Sequence, residues 1–300
     1  MDKFWCVLAL TALCVNAVPL ESDGVSTRII NGNEATYDQF PYAVSLQTTT
    51  AGVHSCGGVL VTLQHVLTAA TCVTETLANG TIVVKNTSTY RIFGGAASLS
   101  NSTAERVRDI ANFTVHPGYT SAPAYRHDIA VITLTAPFAG GTVTPLALPA
   151  ADFNPADFTP CTVAGWGAVA GNTPNVMSPV LRYANKYVYN QNLCMLVFNT
   201  NPTSANVFPT NVCAASDDML TASCNGDNGN ALVCDDTLTG VSFYGSSCTP
   251  SALPELYTRV SNYTTWIRSV TSAGGPGFTP GLFMLSLLTV SQVVFAKVVS

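Results

Sequence analysis

Residues 224–234 read CNGDNGNALVC, and this short stretch decides how the chain folds. Gly226 and Gly229 stand on either side of Asn228, a pattern typical of a tight loop that presents a nucleophile. The residue at the presenting position, however, is Asn228, and a neutral amide does not attack carbonyl groups. The stretch therefore indicates either an enzyme that uses an unusual catalytic group or an enzyme fold that lacks its catalytic residues.

Short segments rich in Val, Ile, Thr and Tyr recur on both sides of this stretch, separated by Gly, Pro, Asn and Ser. Such spacing predicts an all-β domain, either a sandwich or barrels. Examples are YAVSLQT (42–48), GGVLVT (57–62), IAVITL (129–134) and LYTRV (256–260). One helix is predicted within residues 263–272, where apolar residues follow helical spacing at Tyr263, Trp266, Ile267 and Val270.

The overall charge and the N-terminus narrow the class of protein. Charged residues make up only 10% of the chain and the net charge is -5, with twelve scattered basic residues. A nucleic-acid partner is therefore not expected.

Lys3 precedes an apolar run from Phe4 to Val15, and small residues follow up to Ala17. This order predicts a secretory signal peptide over residues 1–17.

The C-terminal tail, residues 271–300, is nearly continuously apolar from Leu282 to Val299, with interruptions at Gln292 and Lys297. Small residues and a Gly- and Pro-rich spacer precede that run, which is the pattern of a GPI-anchor signal. A membrane-spanning or uncleaved tail and a soluble tail remain alternatives, since a spanning helix needs about 20 apolar residues.

Eight cysteines follow the signal segment, and an even number in a secreted chain predicts disulfide bonds. A zinc site is not expected, because no Cys-x-x-Cys pair occurs and the four histidines do not cluster. No other metal and no cofactor is predicted. Glycosylation is predicted on the surface at five sequons, Asn79, Asn86, Asn101, Asn112 and Asn262.

Seven motifs occur in a fixed order: TRIINGNEA (27–35), HSCGGVLVTLQHVLTAATC (54–72), HPGY (116–119), HDIAVITL (127–134), CTVAGWG (161–167), CNGDNGNALVC (224–234) and ELYTRVSNYTTWI (255–267). Over residues 29–270 this order resembles the trypsin/chymotrypsin family of secreted serine proteases. The resemblance implies two six-stranded antiparallel β-barrels with a short C-terminal α-helix. It also implies the disulfide pairs Cys56–Cys72, Cys161–Cys234, Cys194–Cys213 and Cys224–Cys248.

The resemblance also assigns the positions of a catalytic triad. It places Thr71 at the general base, Asp128 at the residue that orients the base, and Asn228 at the nucleophile. A threonine hydroxyl does not hold a proton near pH 7, and the four histidines (His54, His65, His116 and His127) are expected in structural or surface roles. The sequence therefore predicts a chain that is not an enzyme. Asp128 is expected beside Thr71, accepting hydrogen bonds from its hydroxyl and from nearby backbone N–H groups.

Other parts of the family's machinery are present. The resemblance predicts a pro segment over residues 18–28, cleavage between Arg28 and Ile29, and pairing of the new ammonium of Ile29 with Asp227. The alternative is a cleavage sequence that is kept but unused. The backbone N–H groups of Gly226 and Asn228 are expected to form the site that binds the carbonyl oxygen of a bound peptide.

The pocket for a substrate side chain is altered relative to the family. By alignment Ala222 and Ser223 form its floor, Asn225 its rim, and Tyr244 and Gly245 its wall. No aspartate lies at the floor, so trypsin-like selection of Lys or Arg through that position is not expected. Glu255 replaces a glycine and either enters the pocket or faces solvent. Phe243 replaces a small serine and is expected to remove one hydrogen bond from Asp128.

Three functions follow as expectations. The first is a secreted, disulfide-bonded homologue that acts without catalysis, as a protease cofactor, an inhibitor decoy or a peptide binder. Its partner would be a protein or peptide: a protease, a protease inhibitor or a peptide segment. The alternatives are an active serine-type endopeptidase of chymotrypsin-like specificity and a structural or adhesive surface glycoprotein.

Overall fold

A computed structural model describes residues 32–168, 173, 175–200, 205–216, 218, 221–244, 248 and 253–272. The predicted signal peptide, pro segment and Arg28–Ile29 site lie outside these residues, as do Gly245, the side chain of Tyr244 and the tail from 273 onward. Within the described ranges no helix has the length and apolar character needed to cross a bilayer.

The described residues form fifteen β-strands: β1 Asn33–Glu34, β2 Ala43–Thr48, β3 His54–Thr62, β4 His65–Thr68, β5 Thr74–Thr76, β6 Ile82–Val84, β7 Tyr90–Gly94, β8 Val107–Val115, β9 Ala130–Leu134, β10 Pro160–Gly165, β11 Arg182–Tyr189, β12 Asn211–Ser216, β13 Ala231–Cys234, β14 Thr237–Tyr244 and β15 Glu255–Arg259. They are joined by the α-helices α1 Ala70–Val73, α2 Gln191–Asn199 and α3 Thr264–Ser272. The helix predicted within residues 263–272 is therefore confirmed.

Two antiparallel β-barrels of six strands each organise the chain. The first closes in the order β2-β3-β4-β9-β8-β7. In the second, the order β11-β10-β13-β14-β15-β12 closes because β11 also pairs with β12, and β1 adds a short edge strand beside β11. Strands β5 and β6 form a separate ribbon. The predicted all-β fold with a short C-terminal helix is confirmed.

Alternation along the strands decides which side chains enter each barrel. In β11 the side chains of Arg182, Ala184, Lys186 and Val188 are buried, while the residues between them are partly or fully exposed. This is the period of two that a strand imposes. The pattern places one lysine inside the second barrel, where an ammonium group requires a charged or polar partner.

Four disulfide bonds join the pairs that the family resemblance implies: Cys56–Cys72, Cys161–Cys234, Cys194–Cys213 and Cys224–Cys248. This pairing is confirmed. The first bond connects β3 to α1, and the second connects β10 to β13. The last bond anchors the loop that leads to Asn228.

Candidate active site

Thr71 and Asp128 lie side by side in the first barrel. Thr71 is in the short helix α1, and its backbone N–H donates to Asp128 Oδ1 at 2.9 Å. Asp128 precedes β9 and is fully buried, and its backbone oxygen accepts a 2.7 Å hydrogen bond from Thr258 of the second barrel. The expected proximity of the two residues is therefore confirmed.

The Thr71 hydroxyl does not make the expected hydrogen bond to Asp128 in ordinary hydrogen-bond geometry, although its proximity still lowers the pKa of the carboxyl. Among the described residues, Thr71 Oγ1 and Asp128 Oδ2 are both buried without a hydrogen-bond partner. Burial raises the pKa of Asp128 to about 7, against the lowering effect of hydrogen bonds from Thr71 and Ala70. Asp128 Oδ2 thus has no hydrogen-bond donor in ordinary geometry among the described residues.

The raised pKa of Asp128 predicts a pH-dependent stability. In the unfolded chain the pKa of the carboxyl is the ordinary 3.8, whereas in the folded chain its pKa is about 7. The folded state therefore binds more protons at this carboxyl between these values, and the contribution of Asp128 to stability falls as the pH rises from 4 to 8. We expect Asp128→Asn to flatten this fall by about 1.4 kcal/mol or more, since one pKa unit is worth that much.

Urea unfolding of the uncleaved chain at each pH measures this effect. Asp109→Asn, an exposed aspartate on the same barrel, is the control and should leave the curve unchanged. Asp227, whose pKa is also raised, and His54, whose pKa is lowered, add slopes of their own to the curves of both the wild type and Asp128→Asn, so the difference between these two curves is the measurement. Parallel curves for the wild type and Asp128→Asn contradict the prediction.

The loop around Asn228 is held by both barrels. Gly57 N–H in the first barrel donates to the backbone oxygen of Asn228 at 2.8 Å, and Gly229 N–H donates to Ser242 in the second at 2.7 Å. Gly229 has a φ of +89°, and a Cβ there would lie 2.2 Å from the Gly57 oxygen. Only glycine fits this position.

Gly226, on the other side of Asn228, is fixed through a buried histidine. His54 Nε2 lies 2.9 Å from the Gly226 oxygen, and Ser45 Oγ lies 2.7 Å from His54 Nδ1. Burial lowers the pKa of His54 to about 4, so the ring is neutral and acts as a structural hydrogen-bonding group. Within the described part of the chain, the N–H groups of Gly226 and Asn228 donate to no other residue.

Asp227 holds this loop from inside. Its carboxylate accepts hydrogen bonds from Cys224 N–H at 2.9 Å, Gly167 N–H at 3.2 Å and the Asn230 amide at 3.0 Å. Burial raises the pKa of Asp227 to about 7 in spite of these bonds. Pairing with the ammonium of Ile29 stays a prediction, because Ile29 lies outside the described residues.

Asn230 is a site residue that the sequence analysis missed. Its side chain fits between the barrels, since a Cβ on Gly57 of β3 would lie 1.7 Å from Asn230 Oδ1. A Cβ on Gly165 of β10 would lie 2.0 Å from Asn230 Nδ2. The signal in the sequence is a second amide residue directly after Gly229, where the family repeats a glycine.

We expect Asn230→Ala to lower the free energy of unfolding by about 1–3 kcal/mol, because Asp227 loses a buried donor. Amide hydrogen exchange across residues 224–230 should also become faster than in the wild type. The exposed neighbour Asn225→Ala is the control and should change neither quantity. Unchanged exchange in Asn230→Ala would show that the amide does not hold the loop.

Two of the predicted pocket residues, Glu255 and Ser223, are in direct contact, whereas Gly245 and the side chain of Tyr244 lie outside the described residues. Glu255 points its carboxylate inward, one of the two alternatives left open by the sequence, and its exposed fraction is 3%. Ser223 donates to it from its backbone N–H and its hydroxyl, both at 2.7 Å, and Tyr257 donates at 2.8 Å. Ala222 is buried beside Ser223, and Asn225 is exposed at the rim.

Lys186 completes this group and was also missed. Its ammonium lies 3.2 Å from Glu255 Oε1. The signal was a basic residue at an inward position of β11, within RYANKYVY. Its partner lies 69 residues away in the sequence, at the start of β15.

Each histidine has a structural partner. His65 Nδ1 lies 2.8 Å from Thr62 Oγ1, and His127 Nδ1 lies 2.9 Å from Tyr263 Oη. His116 stacks on His127 with ring centroids 4.9 Å apart.

Phe243 is buried, with its ring 6.1 Å from that of Tyr125. The five sequon asparagines are all exposed, and their glycosylation stays a prediction.

Comparisons with known proteins extend over most of the chain. The family profile described as Trypsin matches residues 29–267. Human granzyme M is 34% identical over 270 residues, covering 89% of this chain and 97% of that protein. Trypsin alpha of Drosophila melanogaster is 30% identical over 247 residues, covering 82% of this chain and 88% of that protein.

Two solved structures share the fold. Mouse neuropsin, described as a serine protease, superposes with a TM-score of 0.66 at 28% identity, covering 80% of this chain and 98% of that chain. Human heparin binding protein superposes with a TM-score of 0.66 at 27% identity, covering 83% of this chain and all of that chain.

These comparisons correct the expectation that the chain is not an enzyme. That expectation depended on two residues, Thr71 and Asn228, whereas the similarity extends over nearly the whole domain and includes proteins named as proteases. The comparisons point to an enzyme and support the alternative of a serine-type endopeptidase. Together with the two barrels and four disulfides, they establish that the chain belongs to the trypsin family of serine proteases.

Proposed function

We propose that this chain binds extended polypeptides in the cleft between its two barrels and hydrolyses them slowly, as an endopeptidase of the trypsin family that acts without a serine nucleophile. Membership of the trypsin family supports polypeptide as the substrate class. The observation that carries the proposal is the loop around Asn228, which both barrels hold rigidly. Its two N–H groups, from Gly226 and Asn228, are the donors we assign to the substrate carbonyl oxygen.

The slow rate follows from the side chains at the reacting centre. Thr71 cannot take a proton as an imidazole does, and the Asn228 amide cannot form an acyl intermediate. We propose that a water molecule adds directly to the bound carbonyl while the two N–H groups stabilise the oxyanion. The tetrahedral intermediate then breaks its C–N bond, and the proton of the attacking water passes through solvent to the amine leaving group, which releases a carboxylate-ended and an amine-ended fragment. Binding and an oxyanion site alone accelerate hydrolysis about 10³–10⁴-fold over the reaction in water.

Four disulfides support an extracellular location for this activity, because such bonds persist in oxidising compartments. Partners that fit the cleft are peptide segments of other proteins, including the binding loops of protease inhibitors. We further propose that cleavage between Arg28 and Ile29 adds an ammonium partner to Asp227 and orders the loop more tightly.

The test measures binding and cleavage of one labelled peptide library by the chain processed at Arg28. We expect bound peptides, and products that accumulate above the uncatalysed background but slowly. Gly226→Ala is the control: its φ of +91° and the 2.9 Å approach of Met177 Sδ to a new Cβ would distort the loop and reduce both signals. A rate equal to that of a trypsin contradicts the slow mechanism. Absence of binding and cleavage contradicts the proposal and favours a structural role.

A further inference from the structure

A buried ion pair lies under the predicted pocket. Lys186 Nζ and Glu255 Oε1 are 3.2 Å apart, and their side chains are 1% and 4% exposed. Lys186 comes from β11 and Glu255 from the start of β15, so the pair connects two strands of the second barrel. Buried charges persist when they are paired and hydrogen-bonded, and both conditions are met here.

The carboxylate of Glu255 has no acceptor position left. Oε1 faces Lys186 Nζ and accepts the Ser223 N–H, while Oε2 accepts the hydroxyls of Ser223 and Tyr257. A carboxylate offers about four lone-pair sites, and four donors fill them. Burial by itself raises the pKa of Glu255, but Lys186 and these hydrogen bonds bring it below the ordinary value, so the group is ionised.

The ammonium of Lys186 is also held from its other side. It donates to Ser216 Oγ at 2.8 Å, and that hydroxyl in turn donates to the Thr221 backbone oxygen at 2.8 Å. Thr221 lies directly before Ala222 and Ser223, the predicted pocket floor. The network therefore joins the floor to the barrel interior with no net charge.

We propose that Lys186 is a specificity-determining residue, which neutralises Glu255 from behind and makes the pocket accept neutral side chains in place of Lys or Arg. The inference deepens the proposed function, because it assigns the side chain of the bound polypeptide. A cationic guest would have to displace a covalently tethered ammonium that already occupies the carboxylate. A neutral guest leaves the network intact.

The first test uses p-aminobenzamidine, an aromatic amidinium whose fluorescence rises on binding in an apolar pocket. Lys186→Met removes the charge and keeps an unbranched side chain, and it leaves Glu255 to accept the amidinium. We expect this variant to bind the probe at least tenfold more tightly than the wild type. The control Lys186→Met/Glu255→Gln has neither charge and should return to weak binding. Tight binding by the wild type or by the double variant overturns the inference.

The second test needs no variant and therefore stands if Lys186→Met does not fold. Two cyclic peptides that differ only in Lys or Met at the residue entering the pocket are compared for binding to the wild type. We expect the Met peptide to bind at least tenfold more tightly, and a preference for the Lys peptide overturns the inference.

Neither test depends on hydrolysis, so the two proposals fail separately. Equal binding of both cyclic peptides overturns the assigned specificity and leaves polypeptide binding in place. Absence of peptide binding, together with tighter amidinium binding by Lys186→Met, overturns the proposed function and supports the role of Lys186.

Discussion

The double variant Thr71→His/Asn228→Ser is expected to hydrolyse peptides about 10³-fold faster than the wild type, or more, because it supplies the base and nucleophile of a complete triad. The backbone positions of residues 71 and 228 are already held by hydrogen bonds. The Thr71 N–H to Asp128 bond of 2.9 Å fixes the base position against the carboxylate, and Asp128 Oδ2 has no described donor. An imidazole N–H at residue 71 would supply that donor.

We expect this gain in hydrolysis rate to be smaller than the full effect of a catalytic triad. Removing the serine or histidine of a triad reduces the rate about 10⁶-fold in a protease evolved around it. Here residue 71 carries a threonine side chain, which is smaller than an imidazole, so the new ring has to be accommodated beside the buried Asp128 carboxylate. Initial rates on a fluorogenic peptide with a neutral side chain at the cleavage site measure the change.

The single variants are the controls for this experiment. Triad residues act as a unit, so Thr71→His and Asn228→Ser alone should each gain less than tenfold. Adding Asp128→Asn to the double variant should remove most of the gain, since the imidazole then loses the carboxylate that orients it. A double variant no faster than the wild type would show that the cleft lacks the geometry proposed here.

The barrels, the disulfide pairing and the neighbourhood of Asp128 could be predicted because each depends on a local motif in a known order. The CTVAGWG and CNGDNGNALVC segments each carry one cysteine of the Cys161–Cys234 bond, and together they fix the register of β10 and β13. Family resemblance was needed for the pairing, because eight cysteines allow 105 arrangements. The prediction that the chain is not an enzyme is wrong, because it depends on the two substitutions at Thr71 and Asn228 and not on similarity over the whole domain.

The details that the sequence could not supply are contacts between distant residues. Whether Glu255 turns inward depends on Lys186, and no local pattern connects a residue of β11 with one of β15. Asn230 fits between the barrels only because Gly57 and Gly165 lack side chains at the same point in space. The backbone N–H of Thr71, and not its hydroxyl, makes the well-aligned hydrogen bond to Asp128, and the sequence does not show which of these two donors the short helix presents.

The second large effect concerns stability: Glu255→Ala should lower the free energy of unfolding by about 3–5 kcal/mol, because it leaves the Lys186 ammonium buried without a counter-charge. Ser216 Oγ is the remaining partner of that ammonium in the described chain, and a neutral hydroxyl offsets only part of its desolvation. Urea unfolding with the disulfides intact measures the loss through the midpoint at constant slope.

The compensated variant Lys186→Met/Glu255→Gln decides whether charge is the cause of that loss. Replacing both members of a buried pair by neutral groups of similar size is often nearly neutral, whereas removing one member is not. We therefore expect the double variant to be more stable than Glu255→Ala by at least about 2 kcal/mol. Equal stability of the two proteins would mean that the unpaired ammonium is not the cause of the loss. The ion pair would then be incidental to the stability of the second barrel, although its effect on the charge of the pocket would remain.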